Sequence, residues 1–262
     1  MDVRRRRKQR ADNGEIIANP FDCRCAVALP RAVVRGTFAG ATRSSKGKVR
    51  SSVVCSVVAA MKHVCVPVCK WNERDVDEVQ AVGMKMSETV DEYWWESAAK
   101  RKHFCKVLEQ HNLFGRMQSV YVGQPKVDLF DMNGESKLYE DLQTLLLEDG
   151  MCLLDIKGST VVVICHQQYF VVVDCDACNE SGLPSRNGGC VAVFNTRFDD
   201  LMLHINEVRQ ELKATTYRLS TMSVKADHVT DATEIATVCM DSSISGTAND
   251  VPVEPFGAPV FI

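Results

Sequence analysis

The chain lacks any run approaching the roughly 18 consecutive apolar residues that a membrane span requires, so an integral membrane protein is excluded and no membrane partner is expected. It has no apolar stretch behind its basic first ten residues, and a secretory leader is therefore not expected. Aromatic residues are sparse at 7%, internal repeats are absent, and beyond Lys225 there is not one Lys or Arg. What remains is ordinary globular material: 262 residues, 45% hydrophobic and 25% charged, enough for one substantial core with flanking segments.

The net charge of −3 conceals an uneven distribution. Residues 1–50 carry 13 Lys and Arg against 4 Asp and Glu, and the remainder carries 18 against 30. A basic arm ahead of an acidic body speaks against nucleic-acid binding by the folded part. Arg4 to Arg7, Lys8 and Arg10 form a cluster of the kind that serves as a nuclear import signal or an electrostatic tether, and the expected location is the cytoplasm, the nucleus or both. The twelve cysteines read as reduced thiols in such a compartment. Cys55, Cys152 and Cys165 lie inside apolar runs, where a thiol serves as a small hydrophobe.

Residues 1–34 are expected to be a disordered basic arm, 35–215 an α+β domain and 216–262 a disordered acidic tail. Within the domain, Val53 to Met61 is continuously apolar and reads as a buried helix, with Ser51 and Ser52 as its cap. Asn72 caps a second helix whose Val76, Val79 and Val82 recur at helical spacing and which Gly83 should end. A third helix is expected from about Ser87 to Glu109, packing through Trp94, Trp95, Phe104 and Leu108, and a fourth over Ser136 to Leu147. The period then changes: Met151–Ile156, Thr160–Cys165, Tyr169–Asp174 and Cys190–Phe194 read as an antiparallel meander, followed by a helix over Asp199–Leu212.

Few motifs carry chemistry. Cys65 with Cys69, and Cys175 with Cys178 and nearby Cys190, have the close spacing of zinc doublets, but the doublets lie about 110 residues apart and no metal site is expected. Gly182, Gly188 and Gly189 join two strands, whereas a phosphate cradle needs a following helix, so no cofactor is expected either. His63, His103 and His111 fall on helical segments without a ligand pattern.

The informative segment is Tyr169-Phe-Val-Val-Val-Asp174-Cys-Asp176-Ala-Cys-Asn179, a Gly-containing loop, and Cys190-Val-Ala-Val-Phe194. With Gly158–Ile164, the helices over Trp71–Met86 and Leu138–Leu147, and Asp199–Met202, it resembles in order and spacing the papain-like ubiquitin-specific cysteine proteases at the start of herpesvirus large tegument proteins. The resemblance covers about residues 36–206. It implies a papain-like fold, helices followed by an antiparallel sheet, and ubiquitin or a ubiquitin-like modifier as partner.

That chemistry needs a Cys at a helix N-terminus, where the dipole lowers the thiol pKa, a His as general base, an Asp to orient it, and an oxyanion donor before the Cys. By resemblance Asp174 takes the orienting Asp position, while Asp176 stands where the His belongs. Ser52 stands at the nucleophile position with Ser51 at the donor position; a one-residue shift substitutes Val53. A hydroxyl with a carboxylate of reference pKa about 3.9 is a poor substitute for a thiol with an imidazole. The expectation is a catalytically inactive, deubiquitinase-like domain. The alternative is an active isopeptidase with a relocated nucleophile, Cys55 with His166, or another thiol with His166 or His204.

Overall fold

The computed structural model describes residues 31–39, 51–90, 96–130 and 136–226. The basic arm up to residue 30, the tail from 227 and the pair Trp94 and Trp95 lie outside the described residues. The elements are β1 (Ala32–Ala39), α1 (Ser51–Cys65), α2 (Glu73–Ser87), α3 (Ala98–Gln110), β2 (Gln118–Val122), β3 (Lys126–Leu129), α4 (Ser136–Asp149), β4 (Met151–Ile156), β5 (Ser159–His166), β6 (Tyr169–Cys178), β7 (Gly189–Asn195), α5 (Phe198–Leu212) and β8 (Thr216–Ala226).

One antiparallel sheet runs in the order β1-β7-β6-β5-β4-β8-β2, with β3 also paired to β8. The expected meander is its centre, β4 to β7. Its hairpins turn at Lys157-Gly158 and at Gln167, all with positive φ, as tight connections matching strand twist require. Both faces of the sheet are covered, so a run such as Val161-Val162-Val163-Ile164 alternates between two cores while being hydrophobic throughout. Met151, Leu153, Val162, Ile164, Val171 and Val173 pack beneath α1, α2 and α3. Cys152, Leu154, Val161, Val163, Phe170 and Val172 pack beneath α4 and α5. Each such aliphatic side chain contributes about 1.5–3 kcal/mol on burial, so the two cores dominate the stability.

Helix α1 is buried from Ser52 to Lys62, which explains why its sequence shows no amphipathic period. Ser51 and Ser52, expected as a cap, are its first two helical residues. In α2, Asn72 accepts from the Arg74 amide while Asp75 reaches back to the Asn72 amide at 2.9 Å, a reciprocal cap. Gly83 does not end α2, which continues to Ser87; a Cβ there would lie 2.7 Å from the Cys55 Cα, and its absence is what lets α1 and α2 touch. Lys62, buried near the end of α1, pairs with Asp75 at 2.9 Å and with Glu78, locking the same two helices.

Other expectations need correction. The third helix begins at Ala98 behind a Ser97 cap instead of at Ser87, with Phe104 and Leu108 buried as expected. Strand β1 occupies part of the segment read as arm and loop. It is an edge strand whose Thr37 and Phe38 amides donate to Asp77 of α2 at 2.7 and 3.1 Å. The largest correction is β8. Residues 216–226, assigned to the acidic tail, form an eleven-residue strand between β4 on one side and β2 and β3 on the other. The acidic composition that prompted the tail assignment begins only beyond Lys225.

Candidate functional site

The N-terminal turn of α1 rests on the start of β5. Ser56 Oγ donates to the Thr160 carbonyl at 2.9 Å, and Ser52 Oγ accepts from the Thr160 amide at 3.5 Å. The β5–β6 register, Val162 opposite Val173, continued toward that end sets Ser159 opposite Asp176. There Ser159 Oγ donates to Asp176 Oδ2 at 2.7 Å. Ser52 and Asp176, far apart in sequence, are thus joined through the adjacent residues Ser159 and Thr160. Side chains alternate along β5 and β6, with Val162, Val173 and Cys175 in the core under α1 and Val161, Val163 and Val172 in the other, so Asp176 lies on the sheet face away from Ser52; both are buried.

Asp174 lies two residues earlier on β6. Its Oδ1 accepts from the Asp176 amide at 2.9 Å and its Oδ2 from the Cys178 thiol at 3.3 Å. The carboxylate at the orienting position therefore braces the strand end, through backbone and thiol. Strand β6 also runs four residues beyond its expected end at Asp174, so both acids sit within the sheet, and its pairing with β7 slips between Asp174 and Cys178.

The alternative pair is not brought together. Cys55 is fully buried against Gly83 and Cys175, and its hydrogen bond with Cys175, with burial, holds its thiol well above the usual range. His166 packs edge-on against His63, ring centroids 4.9 Å apart, eight residues and about 12 Å further along α1 from Cys55. His204 sits on α5, in the opposite core, beside Arg31 and Glu207. Cys65 is partly exposed, but it lies at the C-terminal end of α1, where the dipole opposes thiolate formation, and burial raises its pKa. Its sulfur accepts from Gln118 Nε2 at 2.8 Å. Burial pushes Cys165 to about 11.

The two zinc-like doublets separate: Cys65 meets Gln118, Cys175 meets Cys55 and Cys190, and Cys178 meets Asp174. No cluster of three His, Cys, Asp or Glu suited to a metal occurs among the described residues. His103 and His111 are exposed on and just after α3. No described helix is long and apolar enough to cross a membrane. The parts that sequence reasoning missed are Ser159 and Thr160. Their only signal was the Lys157-Gly158 turn, because their role depends on strand register.

Burial has a consequence for acid stability. It lowers His63 to about 4, with His166 adding to the effect, and lowers His204 to about 4, with Arg31 adding. A histidine held below its unfolded value of about 6.5 favours folding fully above that pH and loses the advantage as pH falls toward 4. Between pH 6.5 and 5 each costs about 1.5 kcal/mol. Urea denaturation at pH 7 and 5 should show that loss, with His204→Gln removing about half of the pH dependence. Equal stability at both pH values would contradict it.

The architecture is α+β, a helix layer on each face of an antiparallel sheet with the buried helix α1 lying along β5. The crystal structure of the ubiquitin-specific protease encoded by a murine cytomegalovirus tegument protein, in complex with a ubiquitin-based suicide substrate, superposes with a TM-score of 0.52 at 10% identity. The match covers 80% of this chain and 94% of that one. No family model and no curated protein matches the sequence. At this identity the likeness is one of fold.

Proposed function

We propose that this chain is a catalytically inactive member of the papain-like, viral ubiquitin-protease type that binds ubiquitin or a ubiquitin-like modifier. The observation that carries the reading is that the residues at the two positions are engaged elsewhere, Ser52 Oγ by the Thr160 amide and Asp176 by the Ser159 hydroxyl. Both positions come from one family resemblance, and neither residue supplies the chemistry, a serine and an aspartate standing where a cysteine and a histidine belong. Asp176 is bound by a serine hydroxyl, and Ser52 is an alcohol with no imidazole hydrogen-bonded to it among the described residues. The fold shared with a protease that takes a ubiquitin-based substrate makes ubiquitin the first partner to test.

Titrating isotope-labelled protein with unmodified ubiquitin should shift amide resonances around Ser52, Thr160 and Asp176. A dissociation constant of about 1 mM or tighter, roughly −4 kcal/mol, is the expected range for binding without catalysis. Spectra unchanged at millimolar ubiquitin and at equal concentrations of other ubiquitin-like modifiers would contradict the binding half of the proposal.

A further inference from the structure

Three buried thiols meet beneath the site without serving it. Cys55 on α1, Cys175 on β6 and Cys190 on β7 are each 0% exposed. The sulfurs of Cys175 and Cys190 lie 3.2 Å apart in a hydrogen bond, and Cys55 hydrogen-bonds Cys175 from the helix above. Cys175 is the residue between Asp174 and Asp176, on the opposite face of β6. Whatever moves it moves both acids.

We propose that Cys175 and Cys190 form a disulfide-forming modification site, oxidised by a small disulfide of the glutathione class, with Cys55 as a third thiol that exchanges into the bond. One thiolate attacks a sulfur of glutathione disulfide, and the first glutathione leaves as a thiolate that takes up a proton. The second cysteine, also as thiolate, attacks the mixed disulfide, forms the Cys175–Cys190 bond and releases the second glutathione. The protein loses two protons and two electrons, and glutathione disulfide gains them. A disulfide needs about 2.05 Å between sulfurs, so an approach of roughly 1 Å closes the existing gap. Attack by Cys55 on Cys175 then releases Cys190 and ties α1 covalently to β6, one helical turn from Ser52.

Burial also sets the rate. Hydrogen bonding and burial keep the Cys55 and Cys175 thiols protonated in the closed fold, so oxidation follows transient separation of α1 from the sheet. Proximity then favours the internal bond over a lasting glutathione adduct.

The test is incubation of the folded full chain with glutathione disulfide at mildly alkaline pH, alkylation in denaturant, and mapping of linked peptides by mass spectrometry. The expected product is lighter by two hydrogens and carries a Cys175–Cys190 or Cys55–Cys175 link. Cys190→Ala should carry only the Cys55–Cys175 link and Cys55→Ala only the Cys175–Cys190 link, so one variant that fails to fold leaves the other informative. Recovery of all three thiols fully alkylated, or stable glutathione adducts on them without an internal link, would overturn the proposal.

Discussion

Gly188→Ala should lower the stability of the domain by about 4 kcal/mol, above the usual range for overpacking because the atoms met are backbone. A Cβ at Gly188 falls well inside van der Waals contact with the carbonyl oxygen, carbonyl carbon and amide nitrogen of Cys178. None of these can rotate away as a side chain would. Cys178 is paired with Gly189 and bridged to Pro184, and its thiol donates to Asp174. The strain therefore passes directly into the stretch of β6 that holds Asp174 and Asp176. For a domain of this size the melting temperature should fall by roughly 10 °C, with the resonances of Asp174 to Cys178 displaced most. A variant melting within about 2 °C of the parent, less than 1 kcal/mol, would show that the loop yields freely.

Gly83→Ala should cost about 3 kcal/mol through the other support of the site, the packing of α1 on α2. The new methyl would lie 2.7 Å from the Cys55 Cα and 2.9 Å from its Cβ, and closer still to its sulfur. Alanine favours a helix over glycine by about 1 kcal/mol, so the sign of the measured change decides between propensity and packing. Cys55→Ala relieves only the clash with the sulfur, and the double variant should recover less than half of the loss because the clash with the α1 backbone persists. Urea denaturation of both single variants and the double variant provides the cycle. Stabilisation by Gly83→Ala would mean that the helices are not held this close.

Gly83 also marks where sequence reasoning reached its limit. Near the end of a periodic segment, a glycine stop and a glycine that admits a neighbouring helix look alike, and only the position of α1 distinguishes them. The central hairpins were legible because β-branched runs bounded by turns are a local signal. Strand β8 was not, because Thr216–Ala226 mixes Arg, Ser, Thr and Lys with its apolar residues and leads into an acidic segment. Its pairing with β4 is long-range information. The same distinction holds within the site. Asp174, Asp176 and Ser52 were assigned by pattern, whereas Ser159 and Thr160, which connect two of them, follow from a register that no local sequence encodes. The Cys55 and His166 alternative rested on turn-counting in sequence, and the path of α1 along β5 separates that pair by sending His166 to His63.

The central claim is that the fold of a ubiquitin protease is retained while its nucleophile and base are replaced. The most direct test is incubation of the folded chain with ubiquitin carrying a C-terminal thiol-reactive group, read by intact mass. The account predicts an unmodified mass, because Cys55 is buried and protonated and His166 packs on His63 instead of meeting that thiol. A one-to-one ubiquitin adduct, mapped to Cys55 or to any other cysteine, would contradict it and assign the nucleophile.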